Sequence, residues 1–207
     1  MTEAEIDQRV FVADDDDGVR DALAALLEAR RMPYETFASG DELIARLGEP
    51  ARGCALVDYR MPDKTGLDVI EALAALPAAP PVIMITAHGD VELAVAAMRA
   101  GAFDFIEKPW ETEALFKAID RALETDRTRA EDEQARADAR ERIDRLTPRE
   151  SEVMRELITG AANKVVARRL DLSPRTVEFH RARVFEKTEV QSVAELVRLA
   201  FAAGLDF

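Results

Sequence analysis

A chain of 207 residues, 48% of them hydrophobic, can form one large or two small packed domains, which excludes a disordered protein. No apolar stretch approaches the roughly 20 residues that cross a membrane. The acidic start of the chain lacks the basic and apolar regions of a secretion signal. We therefore expect a cytoplasmic protein without a membrane partner. The net charge of −13 is unevenly spread: residues 1–144, with 17 basic and 32 acidic residues, carry −15, and residues 145–207, with 11 and 9, carry +2. The net charge of the whole chain therefore does not exclude a polyanionic partner for the second segment.

Residues 9–125 alternate between short apolar runs and segments with a helical apolar stripe. Strands are predicted at Val10–Ala13, Tyr34–Ala38, Gly53–Val57, Pro80–Ile85 and Phe103–Ile106, with intervening helices at Val19–Arg31, Asp41–Leu47, up to Leu76, at Val91–Arg99 and from about Thr112. Because parallel strands need crossover connections, this alternation predicts an α/β domain with a doubly wound, five-stranded parallel sheet.

Polar side chains stand at or just past the ends of four of these strands, namely Asp14 and Asp15, Asp58, Thr86 and Lys108. The C-terminal ends of neighbouring parallel strands converge on one edge of a sheet, so these side chains should meet there. Three carboxylates, a hydroxyl and an ammonium suit a Mg²⁺-assisted phosphoryl acceptor. One Asp would receive the phosphoryl group, the other two would help to hold the metal, and Thr and Lys would contact the new oxygens.

Residues 126–145 are dominated by alanine and charged side chains, and we interpret them as a charged linker. Pairs such as Glu141/Arg145 have the i,i+4 spacing that stabilises a helix, so a solvated helix extending the preceding one is expected. A flexible tether is the alternative. A continuous coiled coil is disfavoured because its candidate seam is mostly alanine.

Residues 146–207 are predicted to form a small all-α domain of four helices. Thr147, Pro148 and Glu150 together form a strong helix start. The four helices are expected up to Thr159, over Lys164–Leu170, from Pro174 to about Lys187, and over Ser192–Ala203. The short turn at residues 171–173, between the second and third helices, gives this segment the pattern of a helix-turn-helix.

These motifs resemble two known families. The first part of the chain, with Asp14 and Asp15 followed by Val19-Arg20, resembles a flavodoxin-like response-regulator receiver domain, and Leu146–Leu199 resembles a LuxR-type helix-turn-helix. The pairing most resembles the FixJ branch of two-component transcription factors. It implies a receiver at 1–125, a linker at 126–145 and a DNA-binding domain at 146–207.

The resemblance assigns a role to each residue of the predicted pocket. It implies that Asp58 is the phosphoacceptor and that the cofactor Mg²⁺ is bound by Asp58, directly by Asp15, through water by Asp14, and by the backbone carbonyl of Arg60. It further implies that Lys108 pairs with the phosphoryl oxygens and that a cognate sensor histidine kinase is the phosphodonor.

The resemblance also implies a conformational switch. The Thr86 hydroxyl would move toward the phosphoryl group, and Phe105 would change rotamer, although a plain core aromatic is the alternative for Phe105. A homodimer would form on phosphorylation through the face of the fourth helix and fifth strand, with Val91, Val95 and Phe103 as candidates.

We interpret His88 as a polar loop residue rather than a phosphocarrier.

The third helix of the tail resembles a recognition helix for double-stranded DNA. Val177 and Val184 are seven residues apart and should face the core, which turns a mainly basic face outward. The candidate DNA contacts are Lys164, Arg175, Thr176, Glu178, Phe179, Arg181, Arg183 and Lys187. The chain is thus expected to be a phosphorylation-controlled transcription factor and not an enzyme.

Two other functions fit parts of the pattern. A haloacid-dehalogenase-type phosphatase also uses Asp and Mg²⁺ after a first strand, but its motif needs Asp-x-Asp-Gly-Thr, and here Asp15-Asp16-Asp17-Gly18 is followed by Val19. That interpretation also leaves Asp58 without a role. A phosphorylation-independent DNA-binding regulator is disfavoured by the complete acceptor set.

Overall fold

The computed structural model describes residues 8–62, 64–87, 89 and 91–205, so His88, interpreted above as a loop residue, lies outside the described residues. The chain divides into two compact units, Met1–Arg129 and Ala130–Phe207. Across the part of the chain that the structure describes, none of the helices combines the length and apolar character of a membrane span.

The first unit is an α/β fold built on one parallel sheet. Its strands are β1 (Arg9–Ala13), β2 (Tyr34–Phe37), β3 (Gly53–Asp58), β4 (Val82–Thr86) and β5 (Asp104–Glu107), and its helices are α1 (Asp17–Ala29), α2 (Gly40–Leu47), α3 (Gly66–Ala74), α4 (Val91–Ala100) and α5 (Thr112–Asp144), the last of which continues beyond this unit. The strand order is β2-β1-β3-β4-β5, and all neighbours are parallel. The predicted fold class is confirmed.

Several predicted boundaries differ from the structure for local reasons. Strand β4 begins at Val82, not at Pro80, because the two preceding prolines carry no N–H for the ladder. Helix α1 begins two residues earlier than predicted, because the Asp16 carboxylate accepts hydrogen bonds from the amides of Gly18 and Val19 and caps the helix. Strand β5 is shifted by one residue and runs over Asp104–Glu107.

The sheet separates two layers of core. Strand β3 is buried along its whole length, with Cys54 and Leu56 in the layer formed with α1 and α5, and Ala55 and Val57 in the layer formed with α2, α3 and α4. This alternation follows from the two-residue period of a strand. Because β3 is covered on both faces and paired on both sides, its last residue is held in a fixed place.

The N-terminal ends of the central strands are fixed by a buried carboxylate. Asp126 on α5 is fully buried, and its Oδ2 accepts hydrogen bonds from the side chains of Gln8 and Arg52 and from the Gly53 amide at the start of β3. A buried charge of this kind is stable only when it is paired and hydrogen-bonded. These contacts anchor α5 to the ends of β1 and β3 and leave the C-terminal edge of the sheet to the polar residues predicted above.

The second unit contains four further helices, α6 (Pro148–Ile158), α7 (Asn163–Arg169), α8 (Pro174–Thr188) and α9 (Val193–Ala202). Its core includes Val153, Val166, Val177, Val184 and Leu196. Asp171 takes a left-handed backbone conformation with φ of 53°, which ends α7 and turns the chain into α8. The predicted all-α helix-turn-helix unit is therefore confirmed, whereas the bounds proposed for the linker and for the two domains stay predictions.

Candidate functional site

The polar residues predicted at the strand ends form a pocket at the C-terminal edge of the sheet. Asp14 directly follows β1, Asp58 is the last residue of β3, Thr86 is the last residue of β4, and Lys108 directly follows β5. Strand β3 pairs with both β1 and β4, and β4 also pairs with β5, so the pairing brings the four strand ends side by side.

Lys108 joins the two carboxylates at the centre of this pocket. Its Nζ donates hydrogen bonds to Asp14 Oδ2 at 2.7 Å and to Asp58 Oδ1 at 2.6 Å. Asp14 and Asp58 are only 3% and 7% exposed, so each needs a close positive charge to remain ionised inside the protein. The ammonium of Lys108 therefore serves as the shared counter-ion of two buried acids.

The protonation equilibria of Asp14 and Lys108 reflect this packing. Burial raises the pKa of Asp14, and the hydrogen bonds from Lys108 and from the Asp16 amide only partly oppose it. Burial by itself would lower the pKa of Lys108, but the hydrogen bonds to Asp14 and Asp58 outweigh burial and raise that pKa. The lysine is thus held in its charged form, as its partners require.

Backbone contacts fix the two acids from the other side. The Arg60 amide donates to Asp58 Oδ2 at 2.5 Å, and the Arg20 guanidinium donates to the carbonyl oxygen of Asp14 at 2.6 Å. Gly66 approaches the strand so closely that a Cβ there would lie 2.6 Å from the Asp58 carbonyl oxygen, so a larger residue would displace the end of β3. The position of the Asp58 carboxylate is therefore set by several elements.

The pocket differs from a preformed metal cage. Within the described residues, no group of three His, Cys, Asp or Glu side chains is arranged to hold a metal ion. Asp14 and Asp58 instead face the same ammonium, and the Asp15 side chain is exposed beside them. The donor set still suits Mg²⁺, because it consists of carboxylate oxygens and two of them already converge on one small cation.

Of the predicted switch residues, Thr86 is one of the four at the strand ends, and Phe105 lies within β5, three residues before Lys108. Thr86 is buried at the end of β4, and Phe105 is half-buried and packs against the core layer of α2, α3 and α4. The roles of Thr86 and Phe105 in a conformational switch stay predictions.

The predicted dimer face contains an exposed apolar stripe. Val91 and Val95 on α4 are 78% and 45% exposed, and Met98, one further turn along, is 52% exposed. Sequence reasoning missed Met98, although its spacing of seven residues from Val91 could have found it. The remaining candidate, Phe103, is half-buried beneath the guanidinium of Arg121, which lies 5.8 Å from its ring centroid. We call Val91, Val95 and Met98 the α4 stripe.

Helix α8 presents the face predicted for DNA. Ser173 caps the helix, Pro174 occupies its first turn, and Val177 and Val184 are completely buried, as their spacing predicted. Of the candidate DNA contacts, the side chains of Arg175, Glu178, Phe179 and Arg183 are exposed on α8, and Lys164 is exposed on α7. Arg183 also donates to Glu186 Oε2 at 2.7 Å in a surface ion pair.

Three other candidates on α8 are engaged within the second unit. Thr176 is half-buried and its hydroxyl lies 2.8 Å from Ser173 Oγ. Arg181 donates to Asn163 Oδ1 at 3.2 Å and lies over the Phe185 ring. Lys187 donates to Glu150 Oε2 at 2.7 Å. Thr176, Arg181 and Lys187 therefore take part in contacts within the second unit, which the sequence did not indicate.

Glu150 is the centre of the polar contact between α6 and α8. It forms a capping box with Thr147, and the same carboxylate oxygen that accepts the Thr147 amide also accepts from Lys187. Burial acts to raise the pKa of Glu150, but the hydrogen bonds from Lys187 and Thr147 outweigh it and lower the pKa to about 2 from 4.5. The ionised form of Glu150 is therefore the one that the folded unit stabilises.

We expect Glu150→Gln to lower the stability of the second unit by about 1 kcal/mol at neutral pH, because it removes a charge-assisted contact that is partly screened by solvent. Since the pKa is depressed on folding, the stabilisation is complete above pH 4.5 and is lost as the pH falls toward 2. The difference between wild type and variant should therefore shrink over that range, as measured by urea unfolding followed through the methyl signals of Val177 and Val184. Glu152→Gln, which alters a surface pair with Arg149, is the control; a difference in stability between Glu150→Gln and wild type that stays constant with pH would contradict the assignment.

The comparisons with known proteins agree with this geometry. Residues 10–120 match the family described as "Response regulator receiver domain", and residues 144–200 match "Bacterial regulatory proteins, luxR family". The chain belongs to the response regulators of the FixJ type, which are transcription factors with a receiver domain and a LuxR-type DNA-binding domain.

Among its relatives, the transcriptional regulatory protein FixJ of Rhizobium meliloti is 40% identical over 96% of this chain and 97% of the relative, and that of Bradyrhizobium diazoefficiens is 39% identical over 95% and 96%. Among solved structures, response regulator StyR is similar with a TM-score of 0.84 and 36% identity, over 94% of this chain and 98% of that one. Full-length FixJ from B. japonicum is similar with a TM-score of 0.58 and 39% identity, over 95% and 97%.

Proposed function

We propose that Asp58 is the phosphoacceptor of this response regulator and that a cognate sensor histidine kinase is the donor. The proposal is carried by one observation, the convergence of Lys108 Nζ on both Asp14 and Asp58 at the C-terminal edge of the sheet. A carboxylate held beside an ammonium group is suited to attack a phosphoryl group, whose charge must be neutralised during transfer.

In the proposed reaction, an Asp58 carboxylate oxygen forms a new bond to phosphorus while the bond from phosphorus to the donor nitrogen breaks. Lys108 then exchanges its contact with Asp58 for one with a phosphoryl oxygen, which keeps the ammonium paired and places positive charge on the product. The Arg60 amide, already directed at Asp58 Oδ2, holds the carboxylate in place.

The residues that would hold Mg²⁺ are Asp14, Asp15, Asp58 and the backbone carbonyl of Arg60. Bound Mg²⁺ would reduce the repulsion between the acidic pocket and the incoming phosphoryl group. The exposed Asp15 is available to turn inward, and Lys108 is long enough to move from between the two buried acids. Oxygen ligands of this kind also suit a metal that keeps several of its water molecules.

The response to phosphorylation is proposed to be a population shift. Differential contact of Thr86 and Lys108 with the phosphoryl group would favour a second receiver conformation, with Phe105 moving as Thr86 moves. That conformation would form a homodimer through the α4 stripe with Phe103. The stripe supports this proposal because a run of exposed large apolar side chains on one helix is typical of an interaction surface.

Thr86→Ala is expected to accept a phosphoryl group on Asp58 but to dimerise poorly, because the hydroxyl that contacts the new oxygens is missing. Sedimentation velocity of the full chain, with and without acetyl phosphate and Mg²⁺, measures the dimer fraction for wild type and variant. Thr128→Ala, which alters an exposed hydroxyl on α5 that bonds to the Glu124 carbonyl oxygen, is the matched control. Equal dimer fractions in phosphorylated wild type and Thr86→Ala would remove Thr86 from the switch.

The output is proposed to be sequence-specific binding of double-stranded DNA by α8. The exposed basic side chains of α7 and α8 suit phosphates and guanine edges, and a dimer would place two such helices on adjacent half-sites. The proposed contacts are Lys164, Arg175, Thr176, Glu178, Phe179, Arg181, Arg183 and Lys187, the last of which would have to act while paired with Glu150. We place the protein in the cytoplasm, with no catalytic turnover of its own.

A further inference from the structure

Phe179 is an aromatic residue in an unusual position for a folded domain. It lies in the second turn of α8, and 62% of its surface is exposed. Its described ring contact is with the adjacent His180, whose ring centroid lies 5.6 Å away in an edge-to-face arrangement. The core below is already filled by Val177 and Val184, which are completely buried. The fold of the second unit therefore does not require a phenylalanine at this position.

The surroundings of Phe179 indicate what the ring would contact. One turn before it on the same helical face is Arg175, and one turn after it are Ala182 and Arg183, all of them exposed. The two arginines suit an anionic partner on both sides of the ring, and Arg183 would reach that partner by leaving or sharing its exposed pair with Glu186. Ala182 is small, so a partner can approach the backbone of α8 closely beside the ring.

A DNA surface offers few groups that an apolar ring can use. Phosphates are charged, the C–H groups of the sugars are the same for every base, and in the major groove the donors and acceptors of the bases are polar. The exception is the C5-methyl group of thymine, which projects into the major groove and distinguishes thymine from cytosine by an apolar contact. An exposed ring between two arginines on a recognition helix matches such a methyl group.

We propose that Phe179 reads the C5-methyl group of a thymine in each half-site and so determines sequence specificity. The inference rests on the proposed function, binding of DNA by α8, and adds a base-level specificity to it. Arg175 and Arg183 would hold the helix against the duplex by contacts with phosphates or guanine edges, and the apolar contact of Phe179 would select thymine among the four bases at one position.

The test replaces thymine by deoxyuridine, which keeps base pairing and removes only the methyl group. A binding site is first selected from random DNA with the phosphorylated full chain. The thymines of the two half-sites are then replaced one at a time, so that each test duplex lacks a single methyl group. At one position per half-site, the wild-type protein should bind about 3- to 5-fold more weakly, since one buried methyl group is worth that ratio. Phe179→Ala should bind the thymine and deoxyuridine sites equally there, and Phe179→Leu, which keeps an apolar side chain, should retain part of the discrimination.

The controls separate this inference from the proposed function. Arg183→Ala should weaken binding to both DNAs and keep their ratio, because the methyl contact is intact. If Phe179→Ala binds the selected site but keeps the wild-type ratio, or if no thymine in the wild-type site is sensitive, Phe179 does not read a methyl group, although DNA binding stands. Loss of all DNA binding by the folded wild-type chain would instead overturn the proposed function and the inference with it.

Discussion

Asp58→Asn should abolish phosphorylation of the chain completely. With acetyl phosphate and Mg²⁺, wild type should acquire one acid-stable, base-labile acyl phosphate, and removal of Mg²⁺ by a chelator should prevent this. The reason is that the side-chain amide introduced by the substitution cannot supply the carboxylate oxygen that forms the bond to phosphorus. Intact-mass spectrometry gives the stoichiometry of labelling directly.

The matched control for this prediction is Asp120→Asn. Asp120 is an exposed carboxylate on α5 that pairs with Arg30, away from the pocket. It should be dispensable, so this variant should label as wild type does. Undiminished labelling of Asp58→Asn would place the acceptor on another residue, and labelling that survives the chelator would remove Mg²⁺ from the proposal.

Lys108→Met should have the second large effect, on the stability of the first unit. It keeps a side chain of similar length but leaves two buried carboxylates without their shared cation. Leaving charged groups buried and unpaired is expected to cost about 3 kcal/mol at pH 7. Urea unfolding followed by the fluorescence of Trp110, the one tryptophan of the chain, measures the loss.

The pH dependence of this loss has a defined sign. Burial already raises the pKa of Asp14 in the wild type, and removal of the lysine should raise it further. An acid whose pKa is higher in the folded than in the unfolded state destabilises the fold as the pH rises. The difference between Lys108→Met and wild type should therefore shrink as the pH is lowered from 7 to 5.

Two further variants complete the design for Lys108. Asp14→Asn combined with Lys108→Met should recover part of the stability, because one of the two like charges is removed. Lys117→Met breaks an exposed pair with Glu113 and should change stability by only about 0.5 kcal/mol. If Lys108→Met were no less stable than Lys117→Met at pH 7, the shared ammonium would not be stabilising the pocket.

The location of the pocket could be predicted because it depends on repeating patterns. Apolar runs of five residues or fewer mark β1 and β4, and the rule that parallel strands end on one edge brings Asp58, Thr86 and Lys108 together. The detailed hydrogen bonds could not be predicted in this way. That one ammonium contacts both Asp14 and Asp58 depends on side-chain conformations, which the order of residues does not specify.

In the second unit, too, the buried face of a helix could be predicted from the sequence and a long-range side-chain contact could not. The seven-residue spacing of Val177 and Val184 predicted which face of α8 is buried, and the structure confirms it. The pairing of Lys187 with Glu150 joins residues 37 positions apart on different helices, so no local pattern signals it. For the same reason, sequence analysis could name Lys187 as a DNA contact without seeing its role in the fold.

The most direct test of the central claim measures DNA binding and dimer fraction of the full chain in parallel, before and after phosphorylation of Asp58. Sedimentation velocity and titration of a selected binding site are carried out on the same samples, with Asp58→Asn as the control. The structure and the family together predict that phosphorylation shifts wild type from monomer to dimer and tightens binding to the selected site, whereas Asp58→Asn changes in neither respect. Equal dimerisation and equal affinity with and without the phosphoryl group would show a phosphorylation-independent regulator and contradict the proposal.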